Sequence, residues 1–272
     1  MPTDHELVDL LDQVWASVAD LGRGVSEPEW KIPTECPGWT VQDCLAHLSA
    51  IEARLLGRPE PDHELPSELP HVKNPFGRTN EVFVDARRAW SGADVLAEFE
   101  DVTRARVTVL RGYREEDFAA ESWTPVGPGR VRDLLPFRLF DSWVHEQDMR
   151  RALGRPGDLD TPIAANGLDR VVNAMPFVIG KQAAAPEGAT VVLSLAGPLA
   201  REVVVGVVNG RALILDGVPD NPTVRLTLTT ETLARLGCGR IDPLDTIAVG
   251  GVGIEGDEAL GRRVVESMNF LF

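Results

Sequence analysis

Apolar positions in the first half of the chain recur at three- and four-residue steps. Leu7, Leu10, Leu11, Val14, Val18 and Leu21 form one stripe, which predicts an amphipathic helix from about Asp4 to Leu21. Val41, Cys44, Leu45, Leu48, Ile51 and Leu55 form a second, stopped by Gly57 and Pro59. Thr40 and Asp43 stand at its head with the spacing of a capping-box variant, so hydroxyl and carboxylate can satisfy free backbone N–H groups there. Further helices are predicted near Thr79–Trp90, near Ala93–Tyr113 and from about Val131 to Leu153. Pro136 either kinks the last of these or marks its true first turn. Pro59, Pro61, Pro66, Pro70 and Pro75 punctuate an aperiodic stretch, expected as a long loop of the lid or disordered kind. Thr124 to Gly129 reads as turn-rich.

The period changes beyond Gly154-Arg155-Pro156-Gly157. One more helix is expected from Pro162 to Lys181, and then strand signals take over. Val191–Leu195 is an apolar run, and Val203–Val208 and Arg211–Leu215 are joined by Asn209-Gly210, a strong hairpin signal. Val224, Leu226 and Leu228 alternate with Arg225, Thr227 and Thr229, a strand with one wet face. Short helices are expected at Glu231–Leu236 and Asp257–Met268, with a glycine-punctuated strand near Ala248–Ile254 between them. The fold class is therefore a helical bundle, residues 1–155, followed by a small α+β domain, residues 156–272.

Composition narrows the function. The 272 residues, 43% of them hydrophobic, can bury two ordinary cores. Lys+Arg 27 against Asp+Glu 42 gives a net charge of -15, which repels phosphate backbones and anionic lipid. Mean hydropathy is -0.07 and no run approaches the roughly 18 apolar residues of a membrane span. The opening residues lack a basic and then apolar leader, and Cys36, Cys44 and Cys238 are too scattered for a disulfide framework. A reduced, cytoplasmic compartment is expected. The three cysteines read best as small buried apolar groups, although Cys36 and Cys44 flank a chemically interesting stretch.

That chemistry sits in two polar islands set in helical segments. Asp141 and His145 are one turn apart on one face of the helix that carries them, with Arg138 one turn before Asp141. His47 lies at the edge of its own helix's apolar stripe, where it can face a neighbour. An imidazole from one helix with a carboxylate and an imidazole from another makes a three-ligand divalent-metal site with an open position. The same residues also fit a hydrogen-bonded core histidine and an Arg138–Asp141 or Asp141–His145 ion pair. Asp43 is explained by capping. His5, His63 and His71 fall at the N-terminus or in the proline-rich stretch and are expected to be solvated.

The stretches Thr34-Glu35-Cys36-Pro37-Gly38-Trp39-Thr40-Val41-Gln42-Asp43-Cys44-Leu45-Ala46-His47-Leu48 and Asp141-Ser142-Trp143-Val144-His145-Glu146-Gln147-Asp148 resemble the mycothiol-dependent maleylpyruvate isomerase family. The resemblance covers the full length. It implies a DinB-like four-helix metal-binding bundle over about residues 1–155 and a sterol-carrier-like domain over the rest. It places His47, Asp141 and His145 on the metal-ligand positions, with Asp141 where the family pattern has Glu; Asp148 or Glu146, close by on the same helix, is expected to orient a ligand. The implied cofactors are a divalent metal, zinc first, and mycothiol or another low-molecular-weight thiol. The metal would favour thiolate over thiol, and the thiolate would add to a conjugated double bond, allow rotation and be eliminated, or serve a thiol S-transferase. Leu233-Ala234-Arg235-Leu236-Gly237-Cys238-Gly239-Arg240 resembles the family's helix ending in Gly-Arg, so Arg240 is a candidate for binding a substrate carboxylate, with Arg78 a weaker one. The expected partners are a small-molecule substrate and a thiol, without nucleic acid or membrane, for a monomer or homodimer. The alternative is an apolar-ligand binder of the sterol-carrier kind whose metal site is vestigial.

Overall fold

A computed structural model describes residues 2–66 and 69–271. It separates into one compact unit that reaches Gly157 and another from Asp158 to Leu271.

In the first unit, α1 (Asp4–Arg23), α2 (Val41–Leu55), α4 (Gly92–Arg111) and α6 (Val131–Ala152) pack so that each touches two others, α1 with α4 and α6, and α2 with the same pair. The apolar stripes meet inside this bundle, where Leu11, Val14 and Val18 of α1, Leu45 and Leu48 of α2, Phe99 of α4 and Leu139 of α6 are fully buried. Each such side chain contributes about 1.5–3 kcal/mol by leaving water. Thr40 caps α2 as its spacing requires: the hydroxyl accepts from the Asp43 N–H and the Asp43 carboxylate accepts from the Thr40 N–H.

Several boundaries differ from the sequence expectation, each for a local reason. The third helix, α3 (Pro75–Asp85), begins and ends earlier than Thr79–Trp90, because Asn74 caps it and Pro75 occupies its first turn. The turn-rich segment is a hairpin, β1 (Glu121–Thr124) with β2 (Gly127–Arg130), preceded by the single-turn helix α5 (Glu115–Phe118). Pro136 lies inside α6 rather than at its start, five residues beyond Val131. Most of the proline-rich stretch is described and carries no regular element, while Ser67 and Glu68 lie outside the described residues.

The second unit opens with α7 (Pro162–Phe177), where Thr161 caps and Pro162 starts the helix; the expected run to Lys181 ends as a π turn over Val178–Gln182. A five-stranded sheet follows, in the order β5-β4-β3-β6-β7. Its strands are β3 (Thr190–Ala196), β4 (Arg201–Val208), β5 (Arg211–Leu215), β6 (Val224–Thr229) and β7 (Val252–Gly256), all neighbours antiparallel except β3 with β6. Asn209 and Gly210 both take positive φ, 53° and 74°, as a two-residue β4–β5 turn requires. Helices α8 (Thr230–Gly237) and α10 (Glu258–Glu266) match the expected pair, and α9 (Pro243–Ala248), capped by Asp242, was not foreseen. No helix among the described residues is long and apolar enough to cross a membrane.

Candidate metal centre

The segment before α2 is a short clip. Pro33 bridges to Thr40, the Thr34 N–H bonds to the Trp39 carbonyl, and the Val41 N–H bonds to the Ile32 carbonyl. At its tip the Trp39 N–H donates to the Cys36 carbonyl across Pro37-Gly38, with Gly38 at φ +79°. Proline followed by a left-handed glycine is the type II pattern. The Gly38 hydrogen serves a second purpose, because a Cβ there would lie 2.4 Å from His71 Nδ1.

The turn delivers Trp39 onto the histidines. Its ring centroid lies 5.1 Å from that of His47 and 5.4 Å from that of His145, and the two imidazoles are 5.0 Å apart, edge to face. His47 arrives from α2, and Asp141 and His145 from successive turns of α6. His47 Nε2 lies 3.1 Å from Asp141 Oδ2, and His145 Nε2 lies 3.7 Å from Asp141 Oδ1. One ligand atom from each of the three falls within 4.8 Å of the others. The structure thus brings together the three residues that the two islands single out.

The ion-pair reading of the sequence is also realised: Arg138 Nη1 donates to Asp141 Oδ2 at 2.7 Å. Arg138 Nε donates to the buried Glu52 at 2.7 Å, and Arg106 approaches the other Glu52 oxygen at 3.5 Å. Positive and negative groups therefore alternate from α4 through α2 into α6. Burial keeps the His47 imidazolium unfavourable and its pKa below the ordinary value, more than Asp141 can offset. Burial pushes the Asp141 carboxyl up, but His47 and Arg138 outweigh it and hold it well below the usual carboxylate range. A neutral imidazole and an ionised carboxylate are the metal-binding forms. With Oδ2 engaged by Arg138, Oδ1 faces His145, so the donor set fits a divalent cation.

On the far side of His145, Nδ1 lies 3.2 Å from Asp148 Oδ2 but is not aligned for a hydrogen bond. Asp148 is fully buried; its Oδ1 accepts from Arg151 at 2.6 Å, and Arg151 in turn pairs with Glu35 at 2.8 Å. Of the two carboxylates expected to orient a ligand, Asp148 is the one that lies beside His145. Glu146 instead accepts from Ser17 of α1 and from Arg150.

The expectation that His63 and His71 are solvated is corrected. His63 Nε2 lies 2.7 Å from Asp85 and His71 Nε2 lies 3.0 Å from the buried Glu81, so the proline-rich stretch folds back onto α3. Glu81 also accepts from the Trp39 indole N–H at 2.9 Å, and Arg88 joins Glu81, Asp85 and Asp43. Carboxylates spaced along an otherwise ordinary helix gave no sign of this. His5 is exposed, its ring edge-on to Phe118. Arg78 is exposed, and Arg240 follows α8 with Nη1 donating to the Cys238 carbonyl at 2.8 Å. All three cysteines are buried.

Solved structures of known proteins share this fold. A variant of the mycothiol-dependent maleylpyruvate isomerase matches with 18% identity and a TM-score of 0.58, covering 94% of this chain and 96% of that one. The unmodified enzyme's crystal structure matches with 19% identity and a TM-score of 0.56 over the same shares. A sterol carrier protein domain 2 from Helicoverpa armigera matches with 15% identity and a TM-score of 0.31, over 42% of this chain and 90% of that one. No curated protein sequence matches. Residues 162–263 match the C-terminal domain model of the maleylpyruvate isomerase family. Residues 11–150, which span the clip, His47, Asp141 and His145, match the mycothiol maleylpyruvate isomerase N-terminal domain, and the chain belongs to that family of enzymes.

Proposed function

We propose that His47, Asp141 and His145 hold one divalent cation, zinc by preference for this nitrogen–oxygen donor set, beside which a low-molecular-weight thiol of the mycothiol kind is activated. The observation that carries the reading is the convergence of these donors from two helices to within 4.8 Å of one another. When bound, the cation would supply stabilisation of thiolate over thiol at neutral pH. The reaction is a double-bond isomerisation of the maleylpyruvate type or a thiol S-transfer, since both begin with the same nucleophile.

The chain's own groups divide the remaining work. His47, held neutral by burial, keeps a lone pair available at neutral pH. Arg138 fixes one Asp141 oxygen and leaves the other toward His145. Trp39 covers both imidazoles and excludes water from that side. Arg240, its guanidinium tied by the Cys238 carbonyl, is our candidate anchor for a substrate carboxylate.

Elemental analysis of untagged protein tests the reading, with His47→Ala and Asp141→Ala as controls. Binding of about one divalent ion per chain at this centre is expected in the wild type, weakened or lost there in both variants while the fold is retained. A wild type that neither holds nor takes up zinc overturns it. Substrate screens with and without thiol then separate isomerase from transferase, and Arg240→Lys should raise KM for a carboxylate substrate with little change in kcat.

A further inference from the structure

The clip places a second chemically distinct group against His145. Trp39 packs against the imidazole with ring centroids 5.4 Å apart, and Cys36 stands at the other end of the same tight turn. The sulfur of Cys36, a nitrogen of His145 and an oxygen of Asp148 all fall within 4.8 Å of one another, and all three residues are buried. The Cys36 backbone has little freedom: its N–H donates to Thr34 Oγ1 at 3.2 Å and its carbonyl accepts from Trp39. Asp148 commits Oδ1 to Arg151 and turns Oδ2 toward His145. His145 Nδ1 is buried there without an aligned hydrogen bond. An unsatisfied buried ring nitrogen costs free energy, and a group lying between these atoms would relieve it.

We infer that Cys36, His145 and Asp148 form a second ligand set, selective for thiophilic divalent cations, which shares His145 with the set of His47 and Asp141. The two ring nitrogens of one imidazole serve the two sides, Nε2 toward Asp141 and Nδ1 toward Asp148. Charge supports the assignment. Arg151 bridges Glu35 at 2.8 Å and Asp148 at 2.6 Å, two carboxylates around one guanidinium, so negative charge at this corner is in excess. Cation binding at this set would release the thiol proton to solvent, as deprotonated sulfur is the binding form, and filling both sets at once would also release the His145 ring proton, since a neutral imidazole offers one lone pair. Sulfur, imidazole and carboxylate together suit borderline-soft ions over magnesium or calcium. The other cysteines are placed differently, with Cys44 Sγ 3.7 Å from Thr34 Oγ1 and Cys238 in the second unit.

This inference rests on the proposed centre only through the shared histidine, and cobalt(II) distinguishes the two. Cobalt at His47, Asp141 and His145 gives visible d–d bands alone, whereas cobalt on Cys36 adds a near-ultraviolet sulfur-to-cobalt charge-transfer band. Titrating wild-type protein with Co2+ should produce that band, Cys36→Ser and Cys36→Ala should abolish it while d–d bands remain, and Cys44→Ser and Cys238→Ser should leave it intact. Asp141→Asn, which disables the first set, should keep the charge-transfer band. Tryptophan emission of each variant checks that the fold is intact. Absence of the band from the wild type, or its persistence in folded Cys36→Ser, overturns the inference. In Asp141→Asn, a retained charge-transfer band with weaker d–d absorption supports the inference and removes only the first centre's share of the cobalt, whereas loss of the charge-transfer band from the folded variant overturns it.

Discussion

Glu52 is the pivot of the charged run that ends at Asp141, and Glu52→Gln isolates its contribution. The substitution keeps shape and removes the charge that faces Arg138 Nε at 2.7 Å and Arg106 Nε at 3.5 Å. All three side chains are buried, so the guanidiniums cannot recover the loss from water. Breaking a buried pair by neutralising one member costs about 3–5 kcal/mol. For a unit of this size a urea m-value of about 2 kcal/mol/M converts that cost into a midpoint lowered by about 1.5–2.5 M. The assay is unusually selective, because the 6 tryptophans are Trp15, Trp30, Trp39, Trp90, Trp123 and Trp143, all in the first unit. Their emission reports the unfolding of the bundle alone. A second variant, Arg138→Met, and the Glu52→Gln/Arg138→Met double complete a cycle, in which the double should be less destabilised than the sum of the singles. A Glu52→Gln midpoint within about 0.3 M of wild type with unchanged slope, or strictly additive singles, would refute the reasoning.

Gly38→Ala should destabilise the bundle by at least about 1–2 kcal/mol from its φ of +79° alone, with a further loss from the 2.4 Å approach to His71. Adding His71→Ala should recover only the second part, as read from tryptophan unfolding midpoints. For Glu98, burial pushes the carboxyl up, but Arg87 and Ser49 outweigh it and set it below 4.5. Its stabilisation is therefore complete above 4.5 and lost as pH falls through the lower folded value, so Glu98→Gln should flatten the acid limb of a stability–pH curve. A limb of unchanged steepness would exclude that role. Gly256→Ala, at φ +88° with a Cβ 2.3 Å from the Thr223 carbonyl oxygen, should lower the calorimetric transition of the second unit while leaving the tryptophan transition in place.

What the sequence made legible followed from periodicity and short-range chemistry. The stripes of α1 and α2, the Thr40–Asp43 cap and the Asn209-Gly210 hairpin all depend on residues within a few positions of one another. His47, Asp141 and His145 were legible because helical spacing puts Asp141 and His145 on one face. The groups that support them were not. Glu81 and Glu52 look like solvated carboxylates until α3 brings Glu81 to Trp39 and α6 brings Arg138 to Glu52. The pairing of His63 and His71 is hidden for the same reason: proline and the absence of a period give no sign of the carboxylates on α3. Asn74 and Pro75 did carry the true start of α3, but a stripe counted from Thr79 passed over them.

Arg88 makes the proline-rich stretch a question of protease resistance. The stretch has no regular backbone ladder, and such segments are where proteases cut first. Its described anchors, His63 on Asp85 and His71 on Glu81, both close on carboxylates that share Arg88. Without that guanidinium, Glu81 and Asp85 would repel each other and Asp43, and both anchors would loosen together. Cleavage there would part α1 and α2, with His47, from α6, with Asp141 and His145. A protease would then register the integrity of the centre from a segment that contributes no ligand to it.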